Sequence, residues 1–442
     1  MLLVGLSLAL ASPPRTSPDQ VDAFAQALRA QGDFIRPSFA PPPPAGGGAN
    51  MLDVSHYGDL VILKDADGEW FSEAATHAVS GDVNWIMESA TGAFYKHYGD
   101  DYDFVSIMMV RDLGMFFAFY QPLSNDVYGI GYDSITPNEV FDQSSNKLQG
   151  YIFMNYYGIW SADPEVGRFV FGQEFMHRWG SFVNVDAEGP DGAVDADALL
   201  GRDLAHWSYW FDTTNSPMEG NTWGDNGDGT YTVDYLAQAT YSDLDLYLMG
   251  FIGPDEVEAQ SLLLVADDEQ TRVGREPASA PEAFNEAYQE GSGEAITVTG
   301  AKVDFTVDNI VSAEGERVPA AADSPRNFRM AFLVIVLADD APDAAELDAV
   351  DTVRTTFEAD WEADVRGLAD LDTTLGDGDA PAFGEVLDTA EPPDSGDTAD
   401  TGEDAINPEK KACGCATGSG DGAAWAAALA VGLLVARRGG AR

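Results

Sequence analysis

The chain is short of cysteine, of positive charge and of histidine. Its 442 residues include two cysteines, Cys413 and Cys415, both near the C-terminus. The rest of the chain is thereby denied disulfides and cysteine-ligated zinc. Lys and Arg number 23 against 75 Asp and Glu, for a formal net charge of −52. That balance argues against nucleic acid as a partner. It suits an exported protein whose carboxylates keep its surface hydrated in salt or calcium. Five histidines leave few imidazoles for a metal. What the chain does have is core material: 45% hydrophobic residues, with nine Trp, 16 Tyr and 23 Phe.

The ends read as targeting segments. Residues 2–10 are apolar, and Ala9-Leu10-Ala11 before Ser12 has the A-x-A form of a signal-peptidase site, so 1–11 is expected to be a signal peptide. Residues 12–50 read as a Pro/Gly-rich linker, with Pro41-Pro42-Pro43-Pro44, then Gly46-Gly47-Gly48, and one helix expected at 20–31. Residues 376–410, rich in Asp, Thr, Gly and Pro, read as an acidic low-complexity stalk too polar to bury a core. In 411–442, Cys413-Gly414-Cys415 precedes the apolar run 423–436 and Arg437-Arg438. The run falls short of the ~20 residues a span requires, and the arginines give it an orientation. This order of parts resembles the MYXO-CTERM class of C-terminal sorting tails. The resemblance covers about the last 30 residues. It implies export, membrane contact through the tail, and anchoring at the cell surface or outer membrane through a lipid on a cysteine. An ordinary tail anchor is the alternative.

Residues 51–375 form the expected body. A strand at 59–64 turns at Asp67-Gly68 into a second strand beginning Glu69-Trp70-Phe71. Val83, Ile86, Met87, Ala90 and Phe94 recur at helical spacing behind Asp82 as cap. The nearly unbroken apolar run 104–110 suits a central buried strand. Further strands are expected at 115–120, 148–155, 295–299, 302–307 and 328–337. Leu347, Val350, Val353, Phe357, Trp361 and Val365 mark a long helix whose stripe is core.

Between these lies Gln173-Glu174-Phe175-Met176-His177, inside an amphipathic helix expected over 169–180 and closed by a left-handed cap at Gly180. Its spacing places Gln173 and His177 on one face with Glu174 beside them. The motif resembles the H-E-x-x-H helix of zincin metallopeptidases, with glutamine for the first histidine. That resemblance implies an α+β, zincin-like fold: a mixed sheet packed on the metal-type helix, with a loop-rich C-terminal half closed by strands and a long helix. It also implies zinc held by His177 and, in part, Gln173, with Glu174 as general base. A third ligand is required. The metzincin pattern puts it at Val183, which cannot bind metal, so the chain departs from that pattern. The remaining candidates are His206, Asp243 and Asp245. Metzincins also carry a methionine turn, often with a tyrosine that stabilises the oxyanion; Met249 and Tyr247 are similar in composition. The plain alternative makes 244–249 a buried helix or strand. Residues 223–230 combine Asp225, Asn226 and Asp228 with glycines, which reads first as a hairpin turn and second as a calcium loop.

Nucleophile elbows, phosphate loops and dinucleotide fingerprints find no convincing context, and nothing singles out a carboxylate pair for glycoside hydrolysis. Two functions from different classes are therefore carried forward. One is a surface-anchored zinc metallopeptidase with an altered first ligand, acting on peptides or proteins. The other is a catalytically inactive zincin-fold surface protein that binds a peptide or protein.

Overall fold

The computed structural model describes residues 48–80, 84–112, 118–132, 147–187, 194–214, 216–233, 240–279 and 295–384. The expected signal peptide, the 20–31 helix, nearly all of the 12–50 linker, residues 385–410 of the stalk, and the Cys413/Cys415 tail lie outside them, as do Asp82, Val83 and residues 115–117.

The chain is α+β. A seven-stranded mixed sheet is formed by β1 (Asp53–Tyr57), β2 (Leu60–Lys64), β3 (Phe104–Met109), β4 (Phe119–Pro122), β5 (Gly150–Tyr156), β13 (Asn327–Val336) and β14 (Asp370–Asp372). Its order is β1-β2-β13-β3-β5-β4, with β14 also paired to β13. β2, β13, β3 and β5 run parallel, while β1 and β4 lie antiparallel at the two edges. Strand side chains alternate between faces, and here both faces are covered. In β13, Phe328, Met330, Phe332 and Val334 join one apolar cluster, and Ala331, Leu333 and Ile335 the other. This is why the central strands read as unbroken apolar runs.

Helices α1 (Glu69–Ser80) and α2 (Asn84–Phe94) cover one face, through Trp70, Phe71, Ile86 and Phe94. Helices α3 (Tyr157–Ala162) and α4 (Pro164–Met176) cover the other. The expected second strand at Glu69-Trp70-Phe71 is the start of α1 instead. Asp65, fully buried, accepts the backbone N–H groups of Gly68, Trp70 and Phe71, and so caps a helix where the local pattern suggested a hairpin.

The stretch after α4 holds more sheet than a loop-rich reading allows. β6 (Trp207–Asp212), β7 (Glu219–Asn221), β10 (Gln260–Leu264) and β12 (Ala301–Phe305) make a four-stranded sheet. β8 (Trp223–Asp225), β9 (Thr230–Val233) and β11 (Thr297–Thr299) make a three-stranded one. Of three short helices, α5 (Asp243–Met249) and α6 (Asp267–Val273) lie between these strands in the chain, and α7 (Val307–Glu314) follows β12. The long α8 (Ala344–Asp364) matches the expected stripe, with Leu347, Val350, Val353, Phe357 and Trp361 all buried.

The body also extends beyond its expected limits at both ends. Gly48–Asn50 forms a short 3₁₀ turn, and the Lys96 ammonium donates to the carbonyl of Ala49. Residues 376–384, expected in the stalk, instead run along the body: the His56 N–H donates to the Pro381 carbonyl and the Phe383 N–H to that of His56.

Candidate functional site

Helix α4 begins where Asp163 accepts the Val166 N–H and Pro164 takes the first turn. Ten of its residues are buried, so it is a core helix on nearly every side. Phe171 stacks on Phe357 of α8 at 4.5 Å, and Phe175 meets Phe104 of β3 at 4.8 Å. The expected left-handed cap at Gly180 is absent. The helix ends at Met176, with His177 at the C-cap in right-handed geometry. A Cβ at residue 180 would meet the Met176 Cε at 2.9 Å, the far end of a flexible side chain.

The helical repeat does place Gln173, Glu174 and His177 on one face, and the fold brings His206 to it. The His177 and His206 rings meet edge to face with centroids 4.8 Å apart. Nδ1 of His177 donates to the Gly180 carbonyl at 3.2 Å, and Nδ1 of His206 to that of Arg202 at 2.9 Å. A carbonyl only accepts, so both rings carry their proton on Nδ1 and keep a lone pair on Nε2. Burial holds both imidazoles neutral, well below the usual histidine range, with the nearby Arg202 charge adding to the effect.

Two residues that the motif reading missed add an ion pair to the site. Arg202 stands in a short turn, Arg202–Leu204, four residues before His206. Its Nε and Nη2 donate to Oε1 of Glu219, on β7, at 3.0 and 2.5 Å. The same Nη2 lies 2.9 Å from Nε2 of His206. Gln173 turns its amide to that Glu219 oxygen as well, at 3.4 Å. Oε2 of Glu219 is buried with no hydrogen-bond partner. Glu174 accepts the backbone N–H of Tyr120, on β4, and burial pushes its carboxyl up to about 8. The pocket over these groups has Phe119, Tyr120, Tyr132 and Phe182 in its walls, and Glu174, His177, Arg202 and His206 are its polar lining. Its cavity volume is about 50 Å³, room for water or one small polar group. The only sequence signal for Arg202 was its rarity in so acidic a chain.

Other candidates are placed away from the histidine pair. Tyr247 lies on α5 with its hydroxyl at the backbone N–H of Arg317, and is not among the residues lining the pocket. Asp243 pairs with Arg366 at 2.7 Å. Asp245 accepts from the Trp207 indole at 2.8 Å and from the Ser242 N–H at 2.7 Å, so its carboxylate holds α5 in place. Met249 closes that helix before Gly250, whose φ of 82° is the left-handed cap. The segment is thus a buried helix. Asp225 and Asp228 accept the N–H groups of Gly227 and Thr230 in the β8–β9 hairpin, which is a turn.

Zinc requires three protein donors with free lone pairs. His177 and His206 have the right tautomer, but Nε2 of His206 already accepts from Arg202, and Gln173 faces Glu219. Among the described residues, no group of three His, Cys, Asp or Glu is disposed to hold a metal ion. As arranged, the residues do not fit zinc. No protein-family model, no curated protein and no solved structure matches this chain.

Proposed function

We propose that this chain is an exported, surface-anchored, zincin-like protein that binds an extended peptide or protein segment without hydrolysing it. The observation that carries the reading is the juxtaposition of edge strand β4 with helix α4. Three β4 residues, with the Ala118 that precedes them, line the pocket, and the Tyr120 N–H reaches Glu174. An edge strand offers backbone groups for a further strand to pair with. Binding is favoured over hydrolysis because Arg202 engages the histidine a metal would use. Zinc-dependent cleavage with Glu174 as base is the competing reading, favoured by the shared tautomer of the two histidines. Export and anchoring rest on the sequence of the two ends.

Incubation with unfolded casein and with a random peptide library, followed by mass spectrometry, tests this. Retained but uncut peptides are expected, with or without added zinc. Zinc-dependent cleavage products would replace the binding reading with the catalytic one, and a protein that neither retains nor cleaves would refute both.

A further inference from the structure

We propose that a partner strand joins β4 through the backbone of Tyr120, and that Glu174 holds that place until the strand displaces it. This rests on the peptide-binding reading and deepens it. In the sheet order β4 is terminal, bonded on one side to β5, yet Phe119 and Tyr120 are each only 3% exposed. Backbone groups of an antiparallel strand point alternately to its two sides. The Leu123 N–H turns to the Gln149 carbonyl, next to β5, whereas the Tyr120 N–H reaches Glu174. Odd positions therefore face β5, and Tyr120 and Pro122 face away from it. Pro122 has no N–H. Among the four residues of β4, Tyr120 thus carries the one amide donor a further strand can use, and Glu174 occupies it.

A carboxyl oxygen at that point does what a peptide carbonyl does in a ladder: it accepts one N–H at the sheet edge. Its removal leaves the donor buried and unpaired until another acceptor arrives. The carboxyl also has a place to withdraw to. The cavity of about 50 Å³ beside it is lined by Arg202 and the two imidazoles as well as Glu174, and the permanent guanidinium charge attracts a carboxylate. The partner that fits is an extended peptide with a carbonyl for the Tyr120 N–H. It also presents two N–H groups, two residues apart, to the carbonyls of Tyr120 and Pro122. Proline at either of those two positions removes a bond.

The test is binding of fluorescein-labelled unfolded casein to the full chain, read by fluorescence anisotropy. Glu174→Ala frees the Tyr120 N–H and should bind about tenfold more tightly than wild type, the worth of one hydrogen bond. Glu174→Gln removes the same charge but keeps an acceptor oxygen at the same reach, and should gain far less. Hydrogen exchange without peptide reads the contact directly. Glu174→Ala should speed exchange of the Tyr120 amide ~10-fold or more, and leave the Gln121 amide, which faces β5, much less affected.

A folded Glu174→Ala that binds casein no tighter than wild type overturns the proposal. So does an equal gain for Glu174→Gln, or a Tyr120 amide indifferent to Glu174→Ala. Should Glu174→Ala not fold, Glu174→Asp draws the carboxyl back by one methylene and keeps its charge, and the same binding and exchange results decide. Casein binding by wild type with no gain in the variant removes this proposal and leaves the binding reading in place. No binding by either form removes both. Binding by Glu174→Ala alone upholds the proposal and makes the wild type the closed form.

Discussion

Glu174 is held between opposing influences. Burial is the largest and raises its pKa; the Arg202 charge and the Tyr120 N–H pull it down, and Glu219 pushes it up again, leaving it at about 8. An unfolded glutamate titrates near 4.3. Between those values the folded chain binds the proton more tightly than the unfolded chain. The stability this contributes is therefore complete below about pH 4.3 and is lost as pH rises through about 8. Glu174→Gln removes the term. Urea melts at pH 5, 7 and 8.5 should show the variant gaining on wild type as pH rises, with a ceiling of several kcal/mol at about 1.4 kcal/mol per unit. An equal difference at pH 5 and 8.5 would show that the carboxyl does not titrate in this window. The placing of Gln173, Glu174 and His177 on one face was legible in the sequence because helical periodicity is local. Arg202 and Glu219 were not, since their pairing depends on where a short turn and β7 are carried by long-range packing.

The elements that were legible are those whose own pattern decides them. β3 and β13 are nearly unbroken apolar runs because both their faces are buried, and the stripe of α8 repeats at helical spacing. The start of α1 was misread because its cap, Asp65, lies before the Asp67-Gly68 pair that mimics a hairpin turn. β6, β7 and β10 were missed because they are short and none alternates cleanly between apolar and polar residues. α5 shows what an element owes to a single side chain. Ser242 and Asp245 form a reciprocal capping box, and Asp245 also accepts the buried Trp207 indole. Ser242→Ala should cost about 1 kcal/mol, the usual worth of a cap. Asp245→Ala strands the Trp207 N–H as well, and should cost about 2–4 kcal/mol in urea denaturation. If the two variants prove equally stable, the indole contact contributes nothing and Asp245 is no more than a cap.

For the whole molecule, the question is where the body stops. Composition alone set the boundary at 375, because residues 376 onward are too polar to form a core of their own. They need not form one: a polar segment can be ordered by pairing with an edge that already exists. β1 is the edge strand at one side of the main sheet, and His56 bridges to Ala382 there. Four backbone N–H bonds tie the segment down: Gly376 N–H to the Tyr102 hydroxyl, Asp379 N–H to the His97 carbonyl, Phe383 N–H to that of His56, and His56 N–H to that of Pro381, with the His97 ring also 2.8 Å from the Asp379 carboxylate. Ala380 is buried by the contact. At a net ~0.5–1.5 kcal/mol for each bond, less the entropy of ordering the segment, the gain is a few kcal/mol at most. Covering β1 has a second consequence, since an open edge invites pairing between chains. A chain ending at residue 375 should therefore melt several degrees below one ending at 384 and should elute partly as aggregates in size-exclusion chromatography. The chain ending at 384 should melt with the full-length protein. Coincident melts for the 375 and 384 forms, both monodisperse, would return the boundary to 375 and leave the edge pairing without energetic weight.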